Sequence, residues 1–312
     1  MRAHITRMGG MAGALALTVG CTAAASEEPS SVADAPPEPA VASAPQPRPP
    51  ATAPASAPEP APHFSYAGEL TQGGWIRGQV PRGTVTAKLN SEPIDFDTYG
   101  NFFAAFDRDA EVQHVLAAEL QDGRTIDQTI RITPRDWDIE HVNVARRTGG
   151  PSASFMQRRR PELEQIWAAR AKKTGAKGWQ QDFIWPVKGR LSGRFGSQRI
   201  YRGEPGSYHS GADIATGESG TPFVAPADGV VTLAAQDFSL EGKLLIIDHG
   251  NGLNSAFLHA SRLTVAEGDM VKQGQQIGNI GSSGRATGPH LHWSIKWKDA
   301  RLDPLLFVGP MN

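Results

Sequence analysis

Two pairs of metal-capable side chains at even spacing, His209 with Asp213 and His290 with His292, restrict how the C-terminal half of this 312-residue chain can fold. In an extended segment alternate side chains share one face. A strand through Gly288-Pro289-His290-Leu291-His292 therefore turns both imidazoles into one cleft. An extended His209-Ser210-Gly211-Ala212-Asp213 segment presents its imidazole and carboxylate to one point. Two imidazoles and a carboxylate form a usual protein set for catalytic zinc, with water in the fourth position. Closed structural zinc sites favour four protein ligands and are often cysteine-rich, whereas this chain has a single cysteine. The expectation is an open three-ligand site, where zinc makes hydroxide available near neutral pH and polarises a scissile carbonyl.

The sequence around these pairs is glycine-rich and strand-rich from Phe183 onward. Gly229 to Ala234, Lys243 to Asp248, Leu253 to His259 and Leu291 to Trp297 read as strands, with no strong helix between them. Residues 183–312 are therefore expected to form a compact antiparallel β domain with the metal at one end of a groove. The polar loop run Arg190 to Tyr208 and the Ser/Gly-rich Gly281 to Gly288 are its expected walls.

Upstream, Phe64 to about Thr133 also reads as all-β. Val85, Ala87 and Leu89 alternate with Thr84, Thr86 and Lys88, and Ile126, Ile130 and Ile132 share a face interrupted by Gln128. Turn signals at Asn90-Ser91, Tyr99-Gly100-Asn101 and Asp122-Gly123 suit a small β-sandwich. A connector, 134–182, follows. There Pro161 is placed to open a helix at its first position, with Leu163, Ile166, Trp167 and Ala171 on one packing face. The basic run Arg158-Arg159-Arg160 reads as solvated. The fold class is all-β dominated, two β domains joined by a short helical connector.

The N-terminal 63 residues carry address rather than fold. Residues 1–25 read as an export signal, with Arg2 and Arg7 ahead of a short apolar run, Met11 to Val19. Cys21 sits where a bacterial lipoprotein is cleaved and acylated, and Leu-Thr-Val-Gly-Cys resembles a lipobox except at Thr18. Cleavage after Ala23-Ala24-Ala25 is the rival. Residues 26–63 are dense in Pro and Ala, a composition that buries no core; fully extended they reach about 120 Å at ~3.1 Å per residue. Such a linker suits a head tethered at a membrane. A net charge of -1, from 31 Lys+Arg against 32 Asp+Glu, supplies no general basic field, so nucleic acid is not an expected partner. The chain says nothing about oligomeric state.

Three separated blocks, H-S-G-A-D at 209–213, F-L-H-A around His259, and T-G-P-H-L-H ending at His292, resemble the lysostaphin/LytM-type zinc endopeptidases of bacterial cell walls. The match runs roughly from Phe183 to Val308. The resemblance implies that His209, Asp213 and His292 bind zinc, and that His259 and His290 are catalytic, their proton-handling roles undivided. It implies peptidoglycan as substrate and cleavage of a peptide bond in its stem or cross-link, with a D,D-endopeptidase as the specific expectation for a tethered outer-membrane lipoprotein facing the periplasm. The other class of reading is a non-catalytic wall-binding or amidase-activating relative; the complete ligand set argues against it. The upstream β domain resembles the immunoglobulin-like modules that precede peptidase domains in some envelope proteins.

This chain departs from the family pattern at two places. Phe257 stands where many members carry tyrosine, leaving Tyr201 and Tyr208 as loop candidates for a hydroxyl, and Ser294 stands where many carry glutamate. Stem peptides carry carboxylates, so arginines near the metal matter. Arg194, Arg199 and Arg202 precede His209 and Arg285 precedes His290; Arg199 and Arg285 are the candidate substrate-binding residues. His249 reads as a turn residue outside the chemistry, and His114 as an ordinary strand residue. The run Glu267 to Gln275 looks like the turn of biotinyl and lipoyl carriers, but Lys272 lacks the carrier context.

Overall fold

The computed structural model describes residues 61–146 and 149–311; the signal, Cys21 and the linker up to residue 60 lie outside the described residues. Seven strands build the first β layer pair: β1 (Ser65–Gly68), β2 (Trp75–Gln79), β3 (Thr84–Leu89), β4 (Glu92–Pro93), β5 (Asn101–Ala105), β6 (Gln113–Leu120) and β7 (Thr125–Arg131). They form two antiparallel sheets, ordered β1-β2-β5 and β4-β3-β6-β7. Ile76, Phe102, Phe103, Leu116 and Ile130 are buried between them. Gln128 interrupts the apolar face of β7 because its Oε1 accepts from the Phe64 amide at 3.0 Å. Val85 does not follow the alternation expected of it. The β3–β6 register shifts between Thr84 and Thr86, and this bulge leaves Val85 49% exposed while Ala87 and Leu89 stay buried.

The connector contains β8 (Ile139–Val142) and α1 (Ala153–Ala171). The helix begins a full two turns before the expected Pro161, which lies inside it; Ser152 caps it, its Oγ accepting from the Phe155 amide at 3.2 Å. Its inward face also differs from the expected one. Arg159, Glu162 and Ala169 are buried, whereas Trp167 is 63% exposed. The Leu163/Ile166/Trp167/Ala171 stripe follows hydrophobicity, but the deepest contacts are ionic. Arg159 donates to Glu162 at 2.9 Å and, through two nitrogens, to Glu241 at 2.6 and 2.7 Å. The middle arginine of the basic run is thus an internal tie rather than a solvated charge.

The C-terminal strands are β9 (Arg190–Gly193), β10 (Gln198–Tyr201), β11 (Glu204–Pro205), β12 (Ala212–Ala215), β13 (Pro222–Val224), β14 (Gly229–Phe238), β15 (Gly242–Gly250), β16 (Leu253–Ala260), β17 (Arg262–Leu263), β18 (Met270–Val271), β19 (Gln276–Asn279), β20 (Leu291–Trp297) and β21 (Ala300–Leu302). The main sheet runs β18-β14-β15-β16-β20-β12-β9, with β21 added on β20; β13-β19-β17 form a small second sheet. All these pairings are antiparallel. One face of the main sheet packs through Leu245, Phe257, Leu291, Trp293 and Ile295 into the principal core. Leu233, Leu244, Ile246 and Ala256 on the other face pack with Ala169 and Ile166 of α1.

That principal core is continuous with the core of the first β domain. Trp75 and Phe103 meet Phe307 at ring-centroid distances of 5.3 and 6.3 Å, and Trp75 Nε1 donates to the Leu306 carbonyl at 2.9 Å. Between the domains, β8 pairs in parallel with β10, so the expected loop wall at Arg190 to Tyr208 is partly a three-stranded sheet, β11-β10-β8.

Candidate metal centre

The register of the main sheet brings the two sequence blocks together. On β12, Asp213 lies opposite His292 of β20 on one side and Gly193 of β9 on the other. His209 precedes β12; its amide donates to the Ser197 carbonyl and its carbonyl accepts from the Gly196 amide, both at 2.8 Å, which pins its backbone to the β9–β10 connection. The ligand-type atoms of His209, Asp213 and His292 all lie within 4.8 Å of one another. His209 Nε2 is 3.1 Å from both Asp213 Oδ1 and His292 Nδ1, and the last two are 2.8 Å apart.

The proton positions follow from the outer contacts. His209 Nδ1 lies 3.0 Å from the Arg194 carbonyl, which can only accept, so this nitrogen carries the proton and Nε2 presents its lone pair inward. That lone pair, the Asp213 carboxylate and His292 Nδ1 then crowd a single point with at most one proton to share. A cation satisfies all three, and the two-imidazole, one-carboxylate donor set fits zinc. Burial alone favours a neutral acid at Asp213, but the two imidazoles of His209 and His292 beside it outweigh that and hold the carboxyl far below its ordinary range. At His209 burial disfavours the charge and Asp213 overrides it, raising the imidazole. At His292 burial dominates and lowers it.

His259 and His290 stand beside this cluster, with ring centroids 5.0 Å apart; His259 is 6.3 Å from the His292 ring. His259 Nδ1 faces the Ser283 carbonyl at 2.8 Å and His290 Nδ1 faces the Gly288 carbonyl at 2.9 Å. By the same argument each Nε2 is left as a lone pair. His290 Nε2 lies 3.8 Å from Asp213 Oδ1. Burial lowers His259 despite the Ser283 carbonyl, which favours the neutral ring a proton acceptor needs. His259 also holds φ at 66°, a left-handed backbone that costs energy in a non-glycine residue. Its amide donates to the Glu241 carbonyl at 2.9 Å, which ties that conformation to the β14–β15 turn.

Two glycines of the site were not singled out from sequence. A Cβ on Gly193 would stand 2.5 Å from Asp213 Oδ2, and one on Gly211 would stand 2.8 Å from His292 Nε2 and 2.5 Å from the Trp293 carbonyl. The signal was present at Gly211, inside the H-S-G-A-D block, but nothing in the sequence marks Gly193, whose partner is set by strand register.

A cleft of about 710 Å³ borders His209 and Asp213; Tyr201, Tyr208, Arg199 and Arg285 line it, with Glu140 of β8. Arg199 donates to Glu140 at 2.6 Å on an exposed wall, so its charge is already paired. Arg285 lines the same cleft, its amide held by the Leu240 carbonyl at 2.9 Å. The Arg194 carbonyl orients His209, and Arg202 Nε donates to Asn143 at 3.1 Å. Tyr208 presents its hydroxyl to Arg301 at 3.3 Å. Phe257 is buried against Phe223, with no role at the metal-facing surface.

The remaining sequence-nominated groups sit apart. His249 is not at a turn but at the end of β15, wholly buried, with Nδ1 on the Asp228 carbonyl at 2.8 Å and Nε2 on Ser255 Oγ at 2.9 Å. Burial pushes it down to about 4. His114 is buried on β6 between Asn90 and the Glu111 carbonyl. Lys272 is exposed and paired with Asp228 at 2.9 Å.

Residues 207–304 match the model of Peptidase family M23. A protein described as "Lipoprotein NlpD/LppB homolog" of Pseudomonas aeruginosa is 38% identical over 131 residues, 42% of this chain and 40% of that protein. "Peptidoglycan DD-endopeptidase ShyA" of Vibrio cholerae is 38% identical over 117 residues, 36% of this chain and 26% of that one. The matched region is therefore well under two thirds of either relative. A crystal structure described as a candidate M23 peptidase from Pseudomonas aeruginosa superposes with a TM-score of 0.60 at 26% identity, covering 77% of this chain and 95% of its own. That superposition takes in more of the chain than the family match does.

Proposed function

We propose, from the premise that this chain carries a peptidase family M23 domain, that it is a zinc-dependent peptidoglycan hydrolase cleaving a peptide bond in the stem or cross-link, with D,D-endopeptidase action as the specific reading. The observation that carries it is the convergence of His209, Asp213 and His292 on one point, flanked by two further imidazoles with free Nε2 atoms. His209, Asp213 and His292 would hold the ion. When bound, zinc lowers the pKa of a water and polarises a peptide carbonyl. His259 and His290, each oriented by a backbone carbonyl on Nδ1, offer Nε2 to take a proton or, once protonated, to donate to the oxygen anion that forms. The outer hydrogen bond from His209 to Arg194 fixes the tautomer that donates a lone pair inward.

Cys21 and the lipoprotein name of the P. aeruginosa relative support a lipid-anchored protein of the cell envelope, its head held off the membrane by the Pro/Ala-rich segment. Digestion of purified sacculi with mass analysis of the fragments tests the reaction. Purified protein should carry about one zinc per chain, lose activity with a chelator and regain it with zinc. His259→Ala and His290→Ala should retain zinc while turnover falls about a hundredfold or more. Intact sacculi after incubation with zinc-loaded protein would instead favour the wall-binding reading.

A further inference from the structure

A second cleft, of about 220 Å³, borders the third member of the triad. His292 and Ser210 form one end of it, Ile166 and Trp167 of α1 stand over it, and Arg170, Lys296 and Arg301 surround it. The strand pattern explains the placement. Residues 292, 294 and 296 share one face of β20, so the face that carries His292 also carries Ser294 and Lys296. Lys296 lies directly opposite Arg301 of β21 in the antiparallel pairing. On its other side Lys296 lies opposite Asn254 of β16, and Arg170 reaches down from α1 to hydrogen-bond the Asn254 side-chain oxygen.

Like charges directly opposite across a sheet are destabilising, and here a third cation is added from above. The acids nearby do not cancel them. Glu241 lines the cleft, but both its oxygens are taken by Arg159. Asp299 lies 3.9 Å from Lys296 and is fully exposed. Asp107 accepts from the Arg301 backbone amide. Among the described residues the Arg301 guanidinium is met by the Tyr208 hydroxyl and ring. Burial, reinforced by Arg301, lowers Arg170 to about 10, so it still carries its charge at neutral pH. Burial also lowers Lys296, and Arg170 adds to the effect.

We propose that Arg170, Lys296 and Arg301 form an anion subsite that holds a carboxylate of the substrate peptide next to His292, closed on its outer side by α1. The proposal rests on the peptidase reading for the identity of the ligand and on the uncompensated cations for the existence of the site. A carboxylate offers two acceptor oxygens, matching guanidinium donors on either side of an ammonium. The carboxylate comes either from the C-terminus of a stem peptide or from an acidic side chain within it. The small cleft favours the C-terminal one.

The test uses the full chain and the variants Lys296→Met and Arg170→Gln. Synthetic stem pentapeptides are prepared with the C-terminus free or amidated, and separately with the side-chain carboxylate free or amidated. Binding is followed by calorimetry with the metal removed by chelator, so that no turnover occurs, and KM is then measured with zinc restored. The expected result is that wild type prefers the free C-terminus by about tenfold, the scale of one charge-assisted hydrogen bond. Lys296→Met should erase that preference while binding the amide as wild type does. A preference that tracks the side-chain carboxylate instead keeps the subsite and reassigns its ligand. Equal affinity of wild type for all four peptides, or equal losses by the variants on free and amidated forms, overturns the proposal. Discrimination in binding without any digestion of sacculi would leave the subsite standing and remove the peptidase reading.

Discussion

Replacing Arg159 with methionine isolates the ionic tie between α1 and the β14–β15 turn. Arg159 is 7% exposed and makes charge-assisted bonds of 2.6 and 2.7 Å to Glu241 and 2.9 Å to Glu162. Without it, Glu162 keeps partners in the Ser239 amide at 2.8 Å and the Ser239 hydroxyl at 2.6 Å, whereas Glu241 loses every hydrogen bond to its carboxylate. Breaking a buried ion pair by removing one partner costs about 3–5 kcal/mol, and since one of the two acids remains bonded the lower end, about 3 kcal/mol, applies. For a folded region of this size that is a fall in Tm of about 6–12 °C. Urea denaturation at pH 7 measures the cost directly. Most of it is the stranded carboxylate, so Arg159→Met combined with Glu241→Met should recover roughly 2 kcal/mol. Turnover should follow stability, because the Glu241 carbonyl accepts from the His259 amide. If Arg159→Met lies within ~1 kcal/mol of wild type, or the double variant is no better than the single, the tie is a surface ion pair in energetic terms and the reasoning fails.

Two further outcomes follow from the geometry. Gly211→Ala places a methyl 2.8 Å from His292 Nε2 and should weaken zinc binding about tenfold or more, read by competition with a metal-sensitive dye; affinity equal to wild type would show that the β12–β20 pair yields without displacing the ligand. His249, lowered to about 4 by burial, binds its proton more readily in the unfolded chain, so stability is complete above the unfolded value near 6.5 and is lost as pH falls toward 4, by about 3 kcal/mol in all. Denaturation midpoints from pH 7 to 4 should therefore slope less steeply in His249→Gln than in wild type, and parallel slopes would assign the acid sensitivity to other groups.

The four strands read at 229, 243, 253 and 291 are present, the last with the expected bounds and the other three with ends extended by one to four residues, because short apolar runs bounded by turn glycines are local signals. The convergence of the three blocks was legible because each motif is contiguous and each sits on or beside a strand. What escaped was set by tertiary partners. Pro161 looked like a helix start since its missing amide suits a first position, yet Ser152 supplies a cap earlier and the helix runs through. Arg159 looked solvated because its two acids lie at 162 and 241, the latter far away in sequence. Gly193 carries no marker at all, since its need to lack a side chain arises from Asp213 across the strand pair. His249 looked like turn chemistry beside Gly250, and only its buried pocket of Asp228 and Ser255 shows otherwise.

The aromatic junction at Phe307 bears on how this chain reaches its native state. Trp75 and Phe103 belong to the first β domain, yet the ring that covers them and the carbonyl that receives the Trp75 indole come from Phe307 and Leu306, beyond β21, across a separation of 231 residues in the case of Trp75 and Leu306. Domains in a chain ordinarily fold as units from the N-terminus as they emerge. Here the earlier unit must wait with two large rings uncovered until nearly all the later strands exist. The long loop that this closes raises the entropic barrier and places the protein among slow, high-contact-order folders. During that interval the Trp75 strand is a sticky surface, so for a protein expected to fold after export the natural hazard is capture by neighbours at the step before Phe307 docks.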